Sequence, residues 1–188
     1  MQTGTGFGIR TTFGALVVAA AMVMISSGSA GAVDDTTSTT FTVSSGTLTI
    51  NAPAAAALGT GALGATITAE LGDVVVTDAR ALVAASWTAT VASGDYTTGG
   101  GTASETIAND LVEYWSGPVV SSTGTGTTFV PGQATEEDAV ALDVSQPAVA
   151  LTAGVGINSA TWTPTLAVNV PPNAIAGGYT GTVTHSVV

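Results

Sequence analysis

Apolar residues alternate with hydroxyl-bearing ones along most of the chain. Trp87, Ala89 and Val91 fall on one side of an extended segment and Thr88 and Thr90 on the other. That period of two marks a strand with one buried and one wet face. It recurs from Ala65 to Leu71 and from Thr161 to Val170, where Trp162, Pro164, Leu166, Val168 and Val170 share a side. It returns from Tyr179 to Val187, with Tyr179, Gly181, Val183, His185 and Val187 set against Thr180, Thr182, Thr184 and Ser186. Asp73 to Asp78 is a β-branched run opened by Gly72 and reads as another strand. Phe41 and Val43, then Leu48 and Ile50, change parity at Ser45-Gly46, which predicts two short strands or one bulged strand ending at Pro53. Ala139 to Val144 and Ala148 to Ala153 are two more short strands, parted by Gln146-Pro147.

Between these segments lie turn signals. Gly99-Gly100-Gly101, the Gly/Thr/Ser stretch from Ser121 to Thr128, and Glu136-Glu137-Asp138 read as loops. Glu105 to Ser116 fits two patterns. Ile107, Leu111, Val112 and Trp115 make a helical stripe, while Leu111 to Trp115 also makes a strand ending at Gly117-Pro118. The β-like surroundings favour the strand. The whole predicts an all-β fold, an antiparallel β-sandwich of about nine or ten short strands.

The N-terminal region has a different pattern. Arg10 precedes a 12-residue apolar run, Gly14 to Ile25, followed by small residues ending Ala30-Gly31-Ala32. This is the order of a signal peptide, with cleavage predicted after Ala32. The run is shorter than the ~20 residues a membrane span needs; an uncleaved anchor is the alternative. The expected organisation is therefore a signal peptide over residues 1–32 and a single β domain over 33–188. The processed chain is expected to be secreted, with no membrane association.

Composition narrows the function classes. Of 188 residues, 13 are acidic, two are Arg and none is Lys or Cys, giving a net charge of −11. Nucleic-acid binding requires cations that displace counterions from phosphates, and an anionic membrane surface requires them too. Both are excluded as expected partners. Without Cys there is no disulfide and no thiolate chemistry. One His and no Cys cannot supply a zinc-type site. Glu136, Glu137, Asp138 and Asp143 offer oxygens for calcium, but no Asp-x-Asp-x-Asp-Gly loop is present. No metal and no cofactor are expected.

The candidate side chains are few. Asp78 and Arg80 stand two apart, on one side of a strand, and can pair. They either fix a corner between two strands above Trp87 or form an exposed ion pair worth roughly 0–1 kcal/mol. Trp87-Thr-Ala-Thr-Val and Trp162-Thr-Pro-Thr-Leu echo one another, either as two facing strands with the same inward anchor or by chance in a Thr-rich chain. Both Trp residues read as core. Tyr114, Trp115 and Tyr96 are candidate sugar-stacking residues if exposed, and core cover if not. His185 lies on the apolar side of the last strand and reads as structural. No Gly-x-Ser-x-Gly elbow accompanies it, so no catalytic residue is assigned and no enzyme activity is expected.

The Asp78-Ala79-Arg80 turn, the Trp87-Thr88-Ala89-Thr90-Val91 strand and the closing Tyr179 to Val187 segment resemble WxL-domain surface proteins of Gram-positive bacteria, in a diverged, actinobacterial form. The likeness runs from about Leu48 to Val188. In that family a valine-rich strand leads into Asp-x-Arg and Trp-x-Leu, and the domain ends Tyr-x-x-x-Leu-x-Trp-x-Leu. Here the motifs read Trp87-Thr88-Ala89 and His185-Ser186-Val187. The resemblance implies WxL-motif positions at Trp87, Trp162, Tyr179 and His185. It also implies a secreted, non-catalytic cell-wall module that binds peptidoglycan or another wall glycan non-covalently. The alternative is a structural or adhesive subunit that assembles with itself or with other surface proteins.

Overall fold

The computed structural model describes residues 35–188. The signal-peptide expectation falls on residues 1–32, outside the described residues. The chain divides into two units, Met1–Phe41 and Thr42–Val188. The described part of the first, residues 35–41, is exposed and has no regular structure.

The second unit is all-β, as its alternation requires. Its strands are β1 (Leu48–Asn51), β2 (Thr66–Glu70), β3 (Val74–Leu82), β4 (Trp87–Ser93), β5 (Tyr96–Thr97) and β6 (Thr106–Ile107). They continue with β7 (Val112–Trp115), β8 (Val119–Pro131), β9 (Val140–Ala141), β10 (Gln146–Trp162), β11 (Thr165–Asn169) and β12 (Val183–Val187). The only helices among the described residues are single 3-10 turns.

Two antiparallel sheets enclose the core. The larger is organised on β10, which pairs with β8 along one edge. On its other edge β4 lies opposite residues Gln146 to Leu151 and β3 opposite Gly156 to Trp162, end to end. β1 then borders β3, and β12 borders β4. The smaller of the two has the order β2-β11-β7-β9, and β5 and β6 pair separately as a two-stranded sheet. Val74, Val76, Trp87, Ala89, Val91, Leu151 and Trp162 from the first sheet meet Val112, Tyr114, Leu166 and Val168 from the second in one buried cluster. Burial of these side chains, at roughly 1.5–3 kcal/mol each, is the main favourable term, because the chain has no disulfide.

Several boundaries differ from the sequence expectation, each for a physical reason. Phe41 and Val43 form no strand; they are 89% and 76% exposed, and backbone bonding to β3 begins only at Gly46 and Thr47, just before β1. The valine-rich strand continues past Asp78 to Leu82, so Arg80 lies inside β3 and the corner comes at residues 83–86. Ala81, at φ 56°, turns the chain out of the strand towards that corner. Ser121 to Thr128 is the middle of β8 rather than a loop. Thr has high β-propensity, and register shifts against β10 absorb the irregular glycine backbone. Ala148 to Ala153 is part of a strand of 17 residues, held by partners on both edges and irregular where its register shifts. Ala139 to Val144 shrinks to the two residues of β9. Thr161 to Val170 is broken at Thr163-Pro164: Trp162 ends β10 in one sheet and Thr165 opens β11 in the other. Pro164 has no N–H for a ladder and suits a sheet-switching bend. Trp87 and Trp162 thus belong to strands of one sheet, not to facing strands. Tyr179 precedes β12 and lies in the loop before it.

Candidate functional site

Four places in the fold hold the candidate side chains. The first is a buried polar node. Asp78 shares the inward parity of Val74 and Val76 and is fully buried. An isolated buried carboxylate would be costly, so its partners decide whether the site is tolerable. Arg80 Nε donates to Oδ1 at 2.9 Å and Nη2 to Oδ2 at 2.9 Å, a two-pronged pair. The Arg80 backbone N–H adds a third bond to Oδ1 at 3.0 Å. Asn158 Nδ2 donates to Oδ2 at 3.4 Å, and Asn158 Oδ1 accepts from Trp87 Nε1 at 2.9 Å. Arg80 Nη2 also donates to the Ser86 carbonyl at 2.9 Å. The hydrogen bond from Arg80 holds the Asp78 carboxyl below the usual carboxylate range. The node ties β3, β4 and β10 together and pins the 83–86 corner. It is a structural ion pair with one buried member, not an exposed one.

The second place runs through the core to one edge. Trp162 Nε1 donates to the Tyr114 hydroxyl at 3.3 Å, and that oxygen lies 3.5 Å from His185 Nε2. With its proton on Nδ1, the neutral ring accepts the phenolic hydrogen at Nε2. Burial pushes the Tyr114 phenol up, so it is a poor source of phenolate. Burial pushes His185 down to about 4, so the ring is neutral at physiological pH. An unfolded chain protonates this ring near its ordinary value of 6.5, but the folded one only near 4. The unfolded state therefore binds more protons across that window. Stability is complete above it and declines as the pH falls through it. Between about pH 7 and about pH 5 the unfolding free energy should drop by roughly 2 kcal/mol. Urea titrations across that range measure it, and His185→Leu should flatten the profile. A wild-type profile already flat there would contradict the burial of the ring.

The third place is a cleft of about 990 Å³ beside that ring. Its walls come from β2, β11 and β12, from the loop over residues 52–63 and from residues 175–182. Tyr96, Ile67, Val170, Tyr179, Val183 and His185 are among its lining residues, and none of the described lining residues is Asp, Glu, Lys or Arg. The Tyr179 hydroxyl is committed to the Ile175 carbonyl at 2.9 Å. Gly181 lies against the face of Tyr96, where any Cβ would come within 2.6 Å of the ring. That contact lets the Tyr96 ring sit at 9% exposure in the cleft wall.

The fourth place is the outer face of the smaller sheet. β7 alternates, so Val112 and Tyr114 enter the core while Glu113 and Trp115 turn outwards. Thr165 stands opposite Trp115 on β11, and Glu70 stands opposite Thr165 on β2. Trp115 is half-buried, whereas Trp87 and Trp162 are 3% and 0% exposed.

Of the three sugar-stacking candidates, then, only Trp115 is placed to offer an indole to solvent. Tyr114 is fully buried between the sheets and Tyr96 is buried in the cleft wall, which corrects the expectation that either could stack on a ligand from an exposed position. Both are drawn inwards by parity: each occupies the core-facing position of its strand. Asn158 is the participant that sequence reading missed. Its signal was a lone amide at a core-parity position two residues before Ala160 and four before Trp162. Among the described residues no three His, Asp or Glu side chains cluster as metal ligands. No protein-family model matches this chain, and no curated protein matches it.

Proposed function

We propose that this chain is a secreted, non-catalytic surface module that associates non-covalently with cell-wall glycan through the outer face of its smaller sheet. The observation that supports this reading is the row Glu70, Thr165, Trp115, running across three strands of that face. A sugar ring has an apolar C–H face and a hydroxylated rim. An indole takes the first, and hydroxyl and carboxylate groups beside it take the second. Rigid strands set the spacing, so little ordering cost falls on binding. The resemblance to wall-attached WxL domains leads to the same class of partner. The titratable groups fit a binding role: His185 is neutral beside a phenol that burial keeps protonated, and Asp78 is tied to Arg80.

Co-sedimentation with purified peptidoglycan tests this. The wild-type chain should pellet with the wall. Trp115→Ala should bind roughly tenfold more weakly, the equivalent of about 1.4 kcal/mol of lost contact. Its urea unfolding should shift by less than about 1 kcal/mol, since the side chain leaves no sealed cavity. Wall binding unchanged by Trp115→Ala would remove the basis for this site.

A further inference from the structure

We propose that the outer edge of β12, beside the uncharged cleft, accepts the N-terminal arm of a second copy of this chain. The arm, Thr36 to Ser45, would add as a β-strand with Phe41 and Val43 turned into the cleft.

The acceptor edge is defined by hydrogen bonding. Among the described residues β12 hydrogen-bonds to β4 on one side and to no strand on the other, with β1 lying nearby. Thr88 and Val188 exchange N–H···O bonds of 2.9 and 3.1 Å, and Gly94 N–H donates to the Thr182 carbonyl at 3.0 Å. Antiparallel pairing alternates, so Thr184 and Ser186 also face β4. Val183, His185 and Val187 therefore turn their backbone N–H and C=O groups to the unpaired side. The side chains of Val183 and His185 line the cleft.

The other sheet edges carry features that discourage pairing. β2 has Glu70 at its end. β8 is interrupted by register shifts at four places. β9 has two residues, and β1 has four and stops shortly before Pro53. Charges, bulges, prolines and shortness are the usual guards of an exposed edge. Val183-Thr-His-Ser-Val187 has none of them.

The arm has the matching properties. Residues 35–47 have no regular structure and are exposed. Thr36 to Ser45 contains no charged residue, and its Thr, Phe and Val have high β-propensity. Phe41 and Val43 are two apart, so a strand places both on one side, and their exposures of 89% and 76% leave them without cover. Ten residues span roughly 33 Å when extended, about twice the length of β12. In a molecule of net charge −11, an uncharged arm and an uncharged cleft are the surfaces on which two copies meet with least repulsion. Strand addition supplies backbone hydrogen bonds for affinity and alternate side chains for specificity. Each copy would then fill one cleft and offer its own, so the contact is head-to-tail and propagates.

The test needs no wall. Light scattering over a concentration series should show the mean mass of the secreted chain rising to multiples of the monomer. The Phe41→Asp/Val43→Asp variant should stay monomeric, with unfolding by urea unchanged because both positions are exposed. The chain has no Cys, so introduced thiols report cleanly: Phe41→Cys chains mixed with Val183→Cys chains should form a mixed disulfide. Trp115→Ala should assemble like wild type, which keeps failure of this proposal distinct from failure of wall binding. A monomer at every concentration would overturn it. So would assembly indifferent to the aspartates, or a chain with both cysteines that closes on itself when dilute.

Discussion

Arg80→Ala is expected to lower the unfolding free energy by about 3 kcal/mol, the low end of the range for breaking a buried ion pair. The low end applies because Arg80 keeps 29% exposure while Asp78 keeps none. Removing the guanidinium leaves a sealed carboxylate with Asn158 and its own strand as remaining partners. Arg80→Lys should recover only part of the loss, because an ammonium cannot reproduce the two-pronged bond. Asp78→Asn combined with Arg80→Ala should cost less than the two single changes together, since the neutral amide does not need the cation. The carboxyl is held below its ordinary value of 3.8, so this contribution is present at neutral pH and fades as the pH falls below that value. Urea unfolding of the four variants measures the coupling. A loss under about 1 kcal/mol for Arg80→Ala would reduce the pair to the weight of a surface contact.

Trp162→Ala is expected to cost about 4 kcal/mol, within the range for emptying a large aromatic site. Trp162 is fully buried where β10 ends and the chain passes to the other sheet. Its loss opens a cavity between the sheets and deprives the Tyr114 hydroxyl of its indole donor. Trp162→Phe should cost less, because most of the volume stays. Denaturant unfolding separates the two, and comparison with Trp115→Ala sets inward against outward Trp. Equal effects from Trp162→Ala and Trp115→Ala would contradict the burial assigned to each.

The two Trp residues show how far alternation carries. Trp87 and Trp162 share parity with Val and Ala neighbours, and parity is local, so their inward direction was readable. Tyr114 and Trp115 are adjacent, so one had to point in and the other out. The strand pattern alone allowed either, because both are large and amphipathic. Leu166, opposite Tyr114 across the ladder, and Val112, two residues earlier on the same strand, decided it. The boundaries of β8 and β10 were hidden for a related reason. Gly and Ser signal a loop on local grounds, but two long strands paired side by side stabilise each other through their backbones whatever their side chains. Asn158 was hidden because an amide at a core position is tolerable only when specific partners, here Trp87 and Asp78, come from other strands.

Order along the chain therefore determined the fold class, the inward side of most strands, and the absence of cationic or thiol chemistry. Each of these depends on near neighbours or on composition. Which acids and aromatics are buried, which strand edge is left open, and where an uncharged cleft forms were decided by the tertiary structure. Those properties depend on contacts between segments that lie tens of residues apart, and no local period encodes them.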